Sequence, residues 1–181
     1  MEKKRPREPR RISRQYLENA ALYYLQRYAT SAENLRRVLA RKVKRSCAFH
    51  KLPEDEFHPM IEDLIKRYLS SGLLNDNSFA EAKAATLRRQ GKSRRAIEAK
   101  LQAKGLGKKD IAAAMDKAGG GDDAELEAAR SLAKKKKLGR HRVKPLKDPK
   151  DARKEMAAMA RAGFSFDVAK RALNYKGDED D

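Results

Sequence analysis

Apolar residues recur three or four positions apart through most of this chain, and the runs are broken at intervals by glycine and proline. That pattern admits amphipathic helices and leaves little room for strands, which need strict alternation. From Ser13 to Tyr28 the side chains of Leu17, Ala21, Tyr24, Leu25 and Tyr28 fall on one helical face, with Tyr24 and Tyr28 expected in the core. Ser31 offers an N-cap with Glu33 in the first turn, and Leu35, Val38, Leu39 and Val43 repeat the spacing until Pro53 interrupts it. A third helix from Glu54 to Gly72 turns Ile61, Leu64, Ile65 and Tyr68 inward.

The pattern then restarts. Asn75 or Asp76 caps a helix whose inward face is Phe79, Ala82, Ala85 and Thr86, and Gly91 ends it. Ser93 caps the next, which packs Ile97 and Leu101 and stops at Lys104-Gly105, where glycine suits a C′ position. A further helix carries Ile111, Ala114 and Met115. After Gly119-Gly120-Gly121 the arrangement repeats over Ala124–Leu138, Asp148–Ala162 and Ser165–Tyr175. Leu101-Gln102-Ala103-Lys104-Gly105-Leu106 aligns with Met159-Ala160-Arg161-Ala162-Gly163-Phe164, and Met115 and Leu173 follow their glycines at the same interval. The expected architecture is therefore all-α: three tandem three-helix repeats forming an elongated, curved right-handed-helix assembly in which each repeat contacts mainly its neighbours. Residues 1–12 are expected to be a basic disordered arm, 13–73, 74–118 and 124–176 the repeats, 119–123 a flexible glycine-rich linker, and 177–181 an acidic tail.

Charge limits the partners. The chain carries a formal +18. The ends do not account for it, since residues 1–14 hold seven Lys/Arg against two Glu while Asp178–Asp181 are all acidic. A folded body this basic favours a polyanion, whether nucleic acid, an acidic protein surface or an anionic membrane. The basic arm lacks the Leu/Phe/Trp face of an interfacial helix, and no window approaches the roughly 20 apolar residues of a membrane span. The single Cys47 excludes an internal disulfide framework and, with the charged N-terminus, fits a reducing, cytoplasmic location.

Three segments together resemble the RecX family: Gly72-Leu73-Leu74-Asn75-Asp76-Asn77-Ser78-Phe79-Ala80, the basic Arg88-Arg89-Gln90-Gly91-Lys92-Ser93-Arg94-Arg95-Ala96-Ile97, and Leu101-Gln102-Ala103-Lys104-Gly105-Leu106. The ending Ala162-Gly163-Phe164-Ser165-Phe166, with Val168 and Leu173, is similar to the family's C-terminal helix pair. Asn75 stands where an acid is usual, which a helix cap tolerates, and Cys47–Pro59 looks like a local insertion. The resemblance implies a non-enzymatic, cofactor-free regulator, a monomer in the simplest case. It would lie along the groove of the RecA filament on single-stranded DNA and limit filament growth, ATP turnover and strand exchange. The motif residues explain fold, so none is carried over as a partner contact.

Candidate binding residues come from the basic clusters instead. Arg37, Arg41, Lys44 and Arg45 fall on one side of the second helix, away from Leu35, Leu39 and Val43. Arg88, Arg89, Arg94, Arg95, Lys100 and Lys104 form a second cluster, and Lys134, Lys135, Arg140 and Arg142 lie in a third basic run that reaches Lys144. Any single stripe is explained by solvation; recurrence in each repeat is what a phosphate-tracking surface requires.

Other chemistry is less well supported. Ser93–Met115 reads as a helix–turn–helix, and hence as a DNA-binding regulator. Its second helix offers mainly Ala where base-reading Arg, Asn or Gln is needed. Cys47, His50 and His58 beside Glu54, Asp55 and Glu56 are metal-ligand types without a ligand spacing. Gly105-Leu106-Gly107-Lys108-Lys109 lacks the spacing and preceding strand of a phosphate loop. The acids are scattered among basic neighbours, without the carboxylate cluster of a metal-dependent nuclease. Tyr23, off the apolar face, is the one aromatic placed to stack on an unpaired base.

Overall fold

The computed structural model describes residues 8–119, 121–143 and 148–173. Residues 1–7, Gly120, Lys144 and the acidic tail lie outside the described residues. Among those described, every regular element is helical: α1 Arg14–Leu25, α2 Ala32–His50, α3 His58–Ser70, α4 Asp76–Arg89, α5 Arg94–Ala103, α6 Lys108–Lys117, α7 Asp122–Lys136, α8 Pro149–Arg161 and α9 Phe166–Leu173. Short 3-10 turns occupy Asp55–Phe57 and Gly139–His141. The chain divides into two compact units, residues 1–79 and 80–181.

In the first unit Ser31 caps its helix as expected, and Ser13 caps the helix before it. Ser13 Oγ accepts from Tyr16 N at 3.1 Å and Ser31 Oγ from Asn34 N at 3.2 Å. Leu35, Leu39 and Val43 of α2 meet Leu17 and Ala21 of α1 and Ile61, Leu64, Ile65 and Tyr68 of α3 in one buried core. Arg36 ties α2 to α3 through a two-bond pair with Glu62 (2.6 and 3.0 Å) and also pairs with Glu33. Burial works to raise the Glu33 pKa, but hydrogen bonds from Arg36 and Arg37 outweigh it and hold the carboxyl below its ordinary range. Asn75 Oδ1 caps α4 by accepting from Ser78 N (2.9 Å). Asp76 Oδ1 accepts from Ala32 N (2.8 Å) and so serves the start of α2 instead.

Two expectations fail in this unit. Helix α1 ends at Leu25, and the turn that follows carries Tyr28 off the apolar face, leaving it 56% exposed with its ring stacked at a tilt on Tyr24. Residues 9–12, expected to be disordered arm, are tied down: Ser46 Oγ donates to Arg10 O (2.8 Å), His50 Nε2 lies 2.8 Å from Pro9 O, and Ile12 packs on the core.

Cys47 is buried, and burial, followed by the charges of Glu54 and Glu56, pushes its thiol pKa up. Thiolate is scarce and shielded in the native state, so maleimide labelling of Cys47 should proceed at the rate at which α2 opens, and should become fast only in denaturant. Rapid labelling of native protein would contradict this burial.

The second unit joins what the sequence divides. Ser93 Oγ accepts from Ala96 N as the cap of α5 (3.2 Å) and donates to Ala162 O at the end of α8 (2.6 Å). Gly91 packs against α7, where a Cβ would stand 3.2 Å from Ala128 O. The expected 119–123 linker is shorter than predicted, because α7 starts at Asp122 with Glu125 N bonded to Gly121 O (3.2 Å). The proposed internal alignment has a matching geometry: Leu106 N bonds Leu101 O (3.3 Å), Phe164 N bonds Met159 O (3.2 Å), and Gly105 and Gly163 have φ of 78° and 92°. These are paired Schellman closures with the apolar residues at both ends buried. Helix α4 presents Ala80, Ala84 and Leu87 inward, not Ala82, Ala85 and Thr86; Ala82 is exposed, and Thr86 bonds its hydroxyl to Ala82 O (2.8 Å). With alanine on several sides of this helix, hydrophobic period alone could not choose the face.

Candidate nucleic-acid interface

On α2, Arg37, Arg41, Lys44 and Arg45 are all exposed, on the side of the helix opposite Leu35, Leu39 and Val43. They are not equivalent. Arg37 Nε donates to Glu33 Oε1 at 2.8 Å, so part of its charge is matched within the helix. Arg41 and Arg45 turn toward the docked N-terminal segment, where with Arg10 and Lys42 they border a cleft of about 280 Å³. Among the described residues no carboxylate lies within ion-pair distance of Arg10, Arg41, Lys42 or Arg45. Lys42 and Arg10 were not singled out from sequence. The signal was present in Lys42, which is one helical turn beyond Val38 and beside Arg41.

In the second cluster the candidates separate by burial. Arg88 is withdrawn from solvent, its side chain only 10% exposed, with Nη1 2.5 Å from Glu125 Oε2 and 3.3 Å from Lys92 O. Among the described residues its Nε and Nη2 have no hydrogen-bond partner, so the residue is a buried brace and not a phosphate ligand. Arg94 donates Nε to Glu98 (2.8 Å), and its backbone N–H meets both oxygens of Glu125 at 3.0 Å. Arg89, Arg95 and Lys100 are exposed, while Lys104 is half-buried.

In the third cluster Lys134 and Lys135 are exposed in the last turn of α7, where they also complement its C-terminal dipole. Arg140 is exposed in the 3-10 turn. Arg142 is largely covered and forms two bonds to Glu155, Nη2–Oε2 at 2.6 Å and Nε–Oε1 at 3.2 Å. Partners 37 and 13 residues away remove Arg88 and Arg142 from the exposed set, and spacing along the sequence does not reveal such pairs.

The remaining candidates are also located. Helix α6 exposes Lys108, Lys109, Ala112 and Ala113, giving point charges without base-reading side chains. His50 is engaged with Pro9 O, and His58 Nδ1 lies 3.8 Å from Asp55. Tyr23 is exposed, but one face of its ring is covered by the Arg27 guanidinium at 4.1 Å. No helix among the described residues is long and apolar enough to cross a membrane.

Comparison with known proteins adds relatives to this geometry. The family model described as "RecX, second three-helix domain" matches residues 75–115. The chain is 42% identical over 169 residues to the regulatory protein RecX of Myxococcus xanthus, spanning 93% of this chain and 90% of that protein. It is 30% identical over 173 residues to its counterpart in Agrobacterium fabrum, spanning 95% and 89%. The crystal structure of RecX from Lactobacillus salivarius superposes with a TM-score of 0.64 at 21% identity, covering 89% of this chain and 94% of that one.

Proposed function

Since the chain belongs to the RecX family of regulatory proteins, we propose that it binds the RecA filament on single-stranded DNA and restrains its growth, ATP hydrolysis and strand exchange. It does so in the cytoplasm, as a monomer, and without catalysing a reaction. The observation that carries the reading is the exposed basic side of α2, where Arg41, Lys44 and Arg45 face away from the core with no carboxylate partner among the described residues. A phosphate-rich filament groove supplies the complementary charge, and less charged surface meets RecA. Binding across successive subunits obstructs their rearrangement.

The test is RecA ATP hydrolysis on excess single-stranded DNA during titration with this protein. Inhibition is expected well below one molecule per RecA, and inhibition only once the DNA is saturated would leave a general DNA-binding protein. Replacing Arg37, Arg41, Lys44 and Arg45 by Ala should raise the inhibitory concentration about tenfold or more at moderate salt, because each lost phosphate contact removes about 0.7 from the salt slope on single strands. Circular dichroism should be unchanged, since all four side chains are exposed.

A further inference from the structure

We infer that the cleft between the docked N-terminal segment and α2 is a nucleotide subsite for unpaired strand, taking one phosphate on Arg41, Arg45 and Arg10 and one base against the Tyr16–Pro9 wall. This inference rests on the nucleic-acid part of the reading above and adds a discrimination between single strand and duplex.

Three observations support it. The first is composition: the lining combines Arg10, Arg41, Lys42 and Arg45 with Pro9 and with the half-buried Tyr16 of α1, which also packs on the core, so cationic groups and one aromatic ring share the cleft. Arginine clusters without an aromatic wall track a backbone; together with one they hold a nucleotide. The second is register. Val38, Arg41, Lys42, Arg45 and Ser46 fall at i, i+3, i+4, i+7 and i+8, which makes the cleft floor one continuous side of α2. The third is preorganisation. The opposite wall is held by the Ser46 hydroxyl on Arg10 O and by His50 on Pro9 O, and Ile12 anchors the segment to the core. The cleft therefore needs little ordering on binding, which favours affinity.

Size agrees. The cleft of about 280 Å³ is open to solvent along its mouth, so a single base can lie in it with its sugar and phosphate outside, at the arginines. A base can enter only if it is unstacked and unpaired, so the site selects single strand by what it admits. Phosphate contacts alone would bind duplex at least as well.

The experiment is fluorescence anisotropy of the full chain with labelled oligothymidylate and with a duplex of equal length, over a salt series and without RecA. Failure here therefore leaves the RecA reading untouched. R41S/R45S should weaken single-strand binding about tenfold and lower its salt slope by about 0.7, one phosphate's worth. Tyr16→Leu, which keeps an apolar group on the core, should weaken single-strand binding about five- to tenfold with the salt slope and duplex affinity unchanged. Tyr16→Phe should retain wild-type binding because the ring and not the hydroxyl stacks, and the unchanged duplex affinity of Tyr16→Leu is what separates lost stacking from lost folding. Equal losses on single strand and duplex in Tyr16→Leu, or no loss on either, would overturn the subsite. So would a free thymidine monophosphate that binds as tightly as the oligomer.

Discussion

Glu125→Ala should destabilise the second unit by about 3–5 kcal/mol, because it leaves the buried Arg88 guanidinium without its counter-charge. Glu125 is 17% exposed and its partner 10%, so water cannot readily replace the carboxylate. Among the described residues two Arg88 nitrogens already lack hydrogen-bond partners, and the variant would remove its 2.5 Å bond as well. The same substitution takes the acceptor from Arg94 N–H at the first turn of α5, a smaller effect at an exposed site. In thermal unfolding, the loss corresponds to a fall of roughly 15–30 °C for a body of this size. Arg88→Met with Glu125→Leu removes both charges and should recover most of it, since buried pairs replaced by apolar groups are often neutral. A single Glu125→Ala variant that unfolds within about 1 kcal/mol of wild type would show the pair to be solvated.

Gly139→Ala should be comparably damaging, for a steric reason. Gly139 has φ of +57°, and a Cβ there would overlap the backbone of Leu173 at the end of α9, standing 2.7 Å from both its carbonyl carbon and its Cα. No side-chain rotation relieves a clash with backbone, so either the 3-10 turn or α9 must move. Moving the turn also disturbs Gly139 N–H on Glu155 Oε2, at 2.9 Å. Left-handed strain and overpacking together amount to about 3–5 kcal/mol. Gly72→Ala is the internal control: φ is +74°, but among the described residues nothing beyond its chain neighbours lies within 4 Å of the added Cβ. That change should be limited to about 1–2 kcal/mol of backbone strain. Equal losses by denaturant unfolding in the two variants would eliminate the steric account.

Most of the helical framework is legible before folding. Ser31 and Ser93 announce helix starts, and α2 and α3 bury Leu35, Leu39, Val43, Ile61, Leu64, Ile65 and Tyr68 as their period indicates, while Val38 lines the cleft instead. These features are local, so residues within one or two turns determine them. What escapes is non-local or degenerate. The inward face of α4 cannot be chosen when Ala80, Ala82, Ala84 and Ala85 all satisfy some apolar stripe. Arg88 and Arg142 look like members of basic clusters until folding brings Glu125 and Glu155 to them. The cleft on α2 escapes for the converse reason. Its second wall is a segment that composition marks as free, and two side-chain bonds from Ser46 and His50 hold it in place.

Ser93 shows how one hydroxyl restricts which residues a lineage can sample. As a cap alone the position would accept Asp or Asn, yet an aspartate carboxylate cannot supply the proton that Ser93 gives to Ala162 O. Its neighbour is bound by the same geometry, since a methyl group at Gly163 would come within 2.5 Å of Ser93 Oγ. Positions 93 and 163 must therefore drift together or not at all, and sequence variation in the fifth helix is limited by a turn far along the chain.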